Sequence, residues 1–273
     1  MKNLRTLAPE ADSQTIDYYN KNGEEYAEKT LHLQLNDQWL EFTTHIKPKG
    51  KILDIGCGSG RDMIKFQQLG FFTEGLEASP VMARIARQNS GSVVHEIPIE
   101  KMTFNEQFDG VWACASLLHV HEDNLLLVFD KIFTSLKSDG CFYFSLKHGK
   151  GQIRHDDERL FVYYNESRLR GLLNKFNYIS TLRIWTSEDS AQRAGNLWLN
   201  CIIKKHSRTK NPVQPLALRL MLGIKCCHAD VNKLIETPDL CSSLSLKWQP
   251  CRFDAPTPVN NQTGRADPDL WIA

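Results

Sequence analysis

The sequence of 273 residues lacks several features that would restrict its function class at once. No apolar run is long enough to cross a bilayer, and the N-terminal segment MKNLRTLAPEADSQ has no apolar core of the kind that a signal peptide requires. The formal net charge of +1 provides no overall attraction to nucleic acid or to an anionic membrane. We therefore expect a cytoplasmic globular protein that binds any polyanion through a local patch.

Cysteine is present, but it lacks the paired spacing of a structural metal site. Half of the eight cysteines stand singly in apolar, strand-like segments, which is typical of free thiols in a reducing compartment. The others lie near His228 without the C-x₂-C pairs that indicate zinc, so we predict no metal site. Residues 206–273, rich in Pro, Asn and Asp towards their end, are expected to form an irregular or partly disordered extension.

Strand and helix patterns alternate between residues 47 and 205. This alternation predicts an α/β fold of three layers, with a mostly parallel sheet of seven strands. The last two strand patterns are joined by the short polar stretch SEDSAQRA, so the final strand should be antiparallel. A helix is expected after Ser79, with Pro80 in its first turn and Gly91 at its end. Residues 1–46 are predicted to form a helical cap, interrupted at Gly23.

The stretch KILDIGCGSGRD, residues 51–62, carries the main functional signal. Its glycines follow a strand pattern and open a helix pattern, where backbone N–H groups face a ligand. A dinucleotide site needs glycines at relative positions one, three and six, but the sixth position here is Arg61. Asp54 would repel a pyrophosphate and attract an amino group, which favours S-adenosylmethionine. Glu77, at the end of the second strand, would accept the ribose hydroxyls, as it would for NAD.

Three motifs occur in order: LDIGCGSG, GLEASPVMARIAR and FDGVWACASLLHV. Over residues 15–205 the chain resembles the class I S-adenosylmethionine-dependent methyltransferases, and most nearly the small bacterial enzymes of the tellurite-resistance type. The resemblance implies a Rossmann-like methyltransferase domain over residues 47–205, with S-adenosylmethionine as its cofactor.

The resemblance also implies which residues bind the cofactor. The glycine-rich motif would line the methionine end of the cofactor. The residues around the end of the second strand would contact its ribose and adenine, and those at the end of the fourth strand would lie near its sulfonium. These three groups are Asp54, Gly56, Cys57, Gly58 and Gly60; Glu77, Ala78 and Met82; and Cys114 and Ala115.

Two parts of the cofactor site depart from the motif or depend on the cap. An acidic residue often follows the third strand in this family, but Pro98 stands there, so we expect Ile99 and Glu100 to contact the adenine instead. Tyr19 and Tyr26 are predicted to lie over the cofactor, because the N-terminal helices of the family often cover it. Ordinary packing of an amphipathic helix is the alternative for both tyrosines.

Methyl transfer from a sulfonium requires alignment of the reactants, and a base only when the acceptor loses a proton early. His119, after the fourth strand, is the candidate catalytic residue, with simple packing under the next helix as its alternative. For Trp198, at the final hairpin, a place in the core is favoured over a role in substrate binding. Substrate candidates lie in the polar stretch KHGKGQIRHDDERLFVYYN, expected to be a loop, and at the final hairpin; solvated surface is their alternative role. They are His148, Arg154, His155, Arg159 and Arg193.

We therefore expect a methyltransferase that acts on an O, N, S or metalloid atom of a small molecule. Methylation of tRNA or another RNA is the first alternative, favoured by the basic run KKHSRTK at residues 204–210. A non-catalytic, cofactor-binding module that regulates a partner is the second. The sequence predicts no particular oligomeric state.

Overall fold

Nine strands form one mixed sheet in the computed structural model, which describes residues 10–191, 193 and 195–206. The strands are β1 (Lys51–Ile55), β2 (Phe72–Glu77), β3 (Val94–Glu96), β4 (Phe108–Ala113), β5 (Leu136–His148), β6 (Gly151–Arg154), β7 (Leu160–Tyr164), β8 (Ile179–Glu188) and β9 (Leu197–Lys205). The helices are α1 (Ser13–Thr30), α2 (Asn36–Thr43), α3 (Arg61–Gln68), α4 (Pro80–Ser90), α5 (Leu125–Ser135) and α6 (Glu166–Leu173). The predicted extension lies outside the described residues from residue 207 onwards.

The sheet confirms the predicted Rossmann-like α/β fold. Strands β3, β2, β1, β4 and β5 lie side by side in that order, and all neighbours in this series are parallel. Strand β9 is antiparallel to both β5 and β8, as expected for the closing strand. The carboxyl ends of β1, β2, β4 and β5 therefore meet at one edge of the sheet, where ligands bind in folds of this kind.

The prediction of a polar loop after β5 is wrong, because residues 151–164 form a hairpin. Strand β6 pairs antiparallel with β7, and β7 continues the sheet from the last two residues of β5. The hairpin raises the number of strands from the predicted seven to nine. Leu160, Phe161 and Val162 of β7 are buried, which explains why this part of the stretch joins the sheet.

The predicted interruption at Gly23 is also wrong, because α1 runs unbroken through it. A Cβ atom on Gly23 would lie 2.8 Å from Cγ1 of Val81 and 3.0 Å from Sδ of Met82. Glycine therefore lets α1 pack directly against α4, and that packing offsets the roughly 1 kcal/mol that a glycine costs inside a helix. Within the described part of the chain, no helix has both the length and the apolar character needed to cross a bilayer.

Aromatic side chains fill the core on both faces of the sheet. On one face, the Trp112 ring stacks on Tyr143 with centroids 3.9 Å apart, and Phe42 of α2 packs against Trp112. On the other face, Phe129 of α5 packs against Phe144 of β5. All five side chains are buried, so the strands that carry the site are held rigidly from both sides.

Candidate cofactor and acceptor site

A cavity of about 700 Å³ lies where the strand ends meet, and α1 forms one of its walls. The loop after β1, Glu77 at the end of β2, and Cys114 after β4 line one end. Lys147 of β5 and Trp198 of β9 line the cavity as well. This volume is in the range of small-molecule and cofactor sites, so the cavity can hold two ligands of modest size side by side.

The glycine loop shapes this cavity through two different uses of glycine. Gly56 has φ +65°, and a Cβ atom there would lie 2.4 Å from Cβ of Ser116, so its role is close packing. Gly58 has φ +55°, and the nearest side-chain atom to a Cβ there is Cε of Met82 at 3.7 Å. Gly58 therefore keeps its backbone open to the cavity. Gly60 is the N-cap of α3 and has a positive φ. It packs against the backbone of Ala86 and is not among the residues that line the cavity.

Glu77 is anchored against the glycine loop by backbone donors. The N–H of Gly58 donates to its Oε2 and the N–H of Ser79 donates to its Oε1, each at 3.0 Å. Burial raises the pKa of the Glu77 carboxyl, and these backbone hydrogen bonds oppose the rise. A carboxylate offers about four acceptor positions, so the backbone donors do not exhaust its capacity to accept hydrogen bonds from a ligand in the cavity.

Asp54 presents a buried carboxylate oxygen that has no partner. It lies at the carboxyl end of β1, two residues before the first glycine, and its side chain is outside the cavity lining. Oδ2 makes no hydrogen bond within the described part of the chain. Burial raises the pKa of this carboxyl well above its usual value, and the charges of Asp62 and Glu77 act in the same direction. An orphaned oxygen of this kind fits a ligand that brings a cation or N–H donors to the loop.

Four donors converge on Asp62 and connect the start of α3 to the core. Arg61 binds both carboxylate oxygens, at 2.8 and 2.9 Å. The indole N–H groups of Trp39 and Trp112 donate to the same carboxylate at 2.9 and 2.8 Å. Arg61 also reaches Sγ of Cys114, 4.0 Å away. Burial raises the pKa of the Cys114 thiol to about 12, so a neutral thiol faces the cavity here.

His119 and Tyr19 form a hydrogen-bonded pair in the cavity wall. Nδ1 of His119 lies 2.6 Å from the carbonyl oxygen of Leu160, and Nε2 lies 2.9 Å from the Tyr19 hydroxyl. A carbonyl only accepts, so Nδ1 carries the proton and Nε2 accepts from Tyr19. Burial lowers the pKa of His119 to about 4, and the pair is therefore uncharged at neutral pH.

The cavity brings together most of the predicted residues. Every predicted cofactor residue lines it except Asp54 and Gly60. Among the substrate candidates, His155, Arg159 and Arg193 line the cavity. Arg154 instead pairs with Asp12 and, like the exposed His148, lies outside the lining.

Several cavity residues were missed by sequence reasoning. Lys147 and Ser145 alternate on β5, a period-two signal that points both side chains to one face of the sheet. Trp198, expected in the core, is half-buried and lines the cavity. Its register partner on β5 is Lys147, and this pairing only becomes visible once the sheet is assembled.

Comparisons with known proteins agree with this architecture. Residues 52–140 match a family model described as "Methyltransferase domain". YqeM of Bacillus subtilis (strain 168), named as a methyltransferase, is 30% identical over 118 residues, which cover 40% of this chain and 48% of YqeM. A Geobacillus sp. (strain WCH70) protein, also named as a methyltransferase, is 30% identical over 132 residues, covering 44% and 53%. The chain thus spans about half the length of these curated relatives.

Solved structures share the fold. The 1,6-didemethyltoxoflavin-N1-methyltransferase of Burkholderia thailandensis, with bound S-adenosylhomocysteine, has a TM-score of 0.59 at 21% identity, covering 71% of this chain and 87% of that one. Magnesium protoporphyrin IX methyltransferase of Synechocystis PCC 6803, with bound S-adenosylmethionine, has a TM-score of 0.53 at 16% identity, covering 72% and 98%. Residues 52–140 thus match a methyltransferase domain, and the fold around them is shared with solved structures that hold S-adenosylmethionine or S-adenosylhomocysteine.

Proposed function

We propose that the protein transfers the methyl group of S-adenosylmethionine to an O, N, S or metalloid atom of a small molecule. The observation that carries this proposal is the anchoring of Glu77 against the Gly58 N–H, in a cavity that extends to His119 and Lys147. The Glu77 end of the cavity suits a ribose beside an open backbone, and the end near His119 and Lys147 leaves room for an acceptor. The motifs further favour kinship with the tellurite-resistance type.

The residues at the Glu77 end of the cavity fit S-adenosylmethionine. The remaining acceptor capacity of the Glu77 carboxylate would hold the ribose hydroxyls. Asp54, which lies next to the glycine loop, would compensate the positive charge of the cofactor's amino group. Met82 and Ile99 are apolar and line the cavity, and they would flank the adenine, with Glu100 beside them. When bound, this cofactor supplies a methyl group already activated on a sulfonium, so the chain's main task is alignment.

The Tyr19–His119 pair is proposed to orient the acceptor. A histidine with a pKa near 4 is a weak base, and general-base catalysis is most efficient with a pKa near the working pH. The neutral imidazole instead fixes the Tyr19 hydroxyl by accepting its proton in a hydrogen bond. The Tyr19 hydroxyl, held in this way, would contact the acceptor from the cavity wall.

A calorimetric titration of the full chain with S-adenosylhomocysteine tests the cofactor site. We expect saturable binding at a one-to-one ratio, and folded protein that binds none would refute the proposal. A second experiment adds the full chain and methyl-labelled S-adenosylmethionine to a cell extract. The metabolites are then separated from the RNA, and the label in each fraction is measured. Label in the metabolite fraction supports a small-molecule acceptor, whereas label confined to RNA would replace it with the RNA alternative.

A further inference from the structure

Lys147 occupies a distinctive position at the carboxyl end of β5. Its register partners are Tyr163 on β7 and Trp198 on β9, so it lies where the sheet divides into the two closing strand pairs. Its Nζ donates to Oδ1 of Asn196 at 2.8 Å. The same Nζ lies 5.3 Å from the ring centroid of Trp198 and 5.8 Å from that of Phe161. The ammonium group is therefore held in the cavity wall by an amide and two rings.

The charges around Lys147 are unbalanced. Arg159 is paired with Asp157 and Arg193 with Asp189, so each of these arginines is already neutralised. Lys147 makes no ion pair with any carboxylate in the described ranges. Glu188, which also lines the cavity, is exposed to solvent and is not within ion-pair distance of Lys147. The ammonium group of Lys147 thus faces the cavity without a carboxylate within ion-pair distance in the described ranges.

The pKa of Lys147 reports the same imbalance. Burial lowers it, and the positive charges of Arg193 and Arg159 lower it further, while Asp189 opposes them. A half-buried ammonium group in such a field gains most from an anion that enters the cavity.

We propose that the methyl acceptor is a small aromatic carboxylate whose carboxylate pairs with Lys147. This inference rests on the proposed methyl transfer. An ammonium group without a carboxylate partner suits the carboxylate of a monoanion, and the rings of Trp198 and Phe161 beside Lys147 suit a planar ring. The Phe161 ring also contacts His119, with centroids 4.9 Å apart. An acceptor that lies over Phe161 therefore reaches from Lys147 towards the Tyr19–His119 pair.

Benzoate and its neutral analogue benzamide are suitable probes. Each is titrated calorimetrically into the full chain saturated with S-adenosylhomocysteine. We expect the wild type to bind benzoate about tenfold tighter than benzamide, because a charge-assisted contact contributes on the order of 1.4 kcal/mol or more. Lys147→Met should abolish that preference by weakening benzoate binding far more than benzamide binding, while Lys147→Arg should retain most of the preference.

Lys150→Met is the matched control, because Lys150 is exposed on the same chain segment and lies outside the cavity lining. It should bind benzoate as the wild type does. Equal binding of both probes by the wild type, an unchanged preference in Lys147→Met, or tighter binding of inorganic phosphate than of benzoate would each overturn the assignment. The S-adenosylhomocysteine titration separates the two proposals, because its failure refutes the transferase site, whereas success without a benzoate preference refutes only the role of Lys147.

Discussion

The hydroxyl of Tyr19 donates a hydrogen bond to Nε2 of His119 at 2.9 Å, and this bond joins α1 to the rest of the cavity wall. The opposite nitrogen of His119 binds the carbonyl of Leu160 on β7. The N–H of Leu160 in turn donates to Oγ1 of Thr15 on α1 at 2.9 Å. Helix α1 is therefore attached to β7 through both backbone groups of Leu160, the N–H and the C=O, directly beside the cavity.

Protonation of His119 should make stability depend on pH. Its pKa is about 4 in the folded protein, below the value of about 6.5 expected in the unfolded chain. The unfolded state therefore binds the proton first as the pH falls. The free energy of unfolding should be unaffected above pH 7 and should fall by roughly 3 kcal/mol between pH 6.5 and pH 4, at about 1.4 kcal/mol per pKa unit.

Urea unfolding at a series of pH values measures this effect, with His119→Gln as the comparison. The variant loses hydrogen bonds and should be less stable at pH 7, but the histidine contribution to the slope between pH 6.5 and pH 4 should disappear. Other groups titrate in both proteins and cancel in the difference. Parallel stability curves for the two proteins would show that His119 is not held in its neutral form.

Removal of the Glu77 carboxylate should weaken cofactor binding. Glu77→Ala deletes the proposed acceptor of the ribose hydroxyls and frees the Gly58 N–H. We expect the affinity for S-adenosylhomocysteine to fall by roughly 1–3 kcal/mol, the range for an unsatisfied buried partner. Calorimetry provides the measurement, and Glu28→Ala, at an exposed site on α1, is the control. Unchanged affinity in Glu77→Ala would place the ribose elsewhere.

A side chain at Gly58 should close the cofactor end of the cavity. Gly58→Val introduces both a strained positive φ and bulk beside the cavity, so we expect no measurable binding of S-adenosylhomocysteine. Gly70→Val separates these two effects, because Gly70 has φ +87° and no atom within 4 Å of a built Cβ. The control should lose about 1 kcal/mol of stability and bind normally. Binding by the Gly58 variant would argue against this loop as the cofactor site.

Neutralisation of Asp62 should strongly destabilise the folded protein. Asp62→Asn leaves the buried Arg61 without its carboxylate and turns one oxygen acceptor into a donor. We expect a loss of about 3–5 kcal/mol in the free energy of unfolding, measured with urea. Asp123→Asn, at a side chain that is 87% exposed, should change it by less than about 0.5 kcal/mol. A loss below about 1 kcal/mol for Asp62→Asn would show that the network is dispensable.

Local chemistry explains which parts of the fold were predictable. Ser79 caps α4 through its side chain, Pro80 occupies the first turn and Gly91 ends the helix, all as predicted, because each role depends on one residue and its neighbours. The hairpin of β6 and β7 was not predicted, since every residue of β6 is exposed and the strand has no apolar face. Its partner β7 is apolar, but its position depends on the last two residues of β5.

The candidate site shows the same division. Gly58 and Glu77 were each predicted to bind the cofactor, and the structure joins them by a hydrogen bond. The sequence could not show that Lys147 has no carboxylate partner among the described residues. That result follows from pairings made elsewhere, because Arg159 pairs with Asp157 and Arg193 pairs with Asp189. The roles assigned to the cofactor and substrate residues stay predictions, and measurements of ligand binding test them.

The indole bonds to Asp62 carry a consequence for where the folding unit begins. The match to the family model starts at residue 52, yet the Trp39 indole of α2 donates a hydrogen bond to Asp62 inside that segment. Phe42 of the same helix is fully buried against Phe66 and Trp112. A polypeptide truncated to the homologous segment would uncover these rings and deprive Asp62 of a donor. The folded unit therefore begins before the segment that the family model matches.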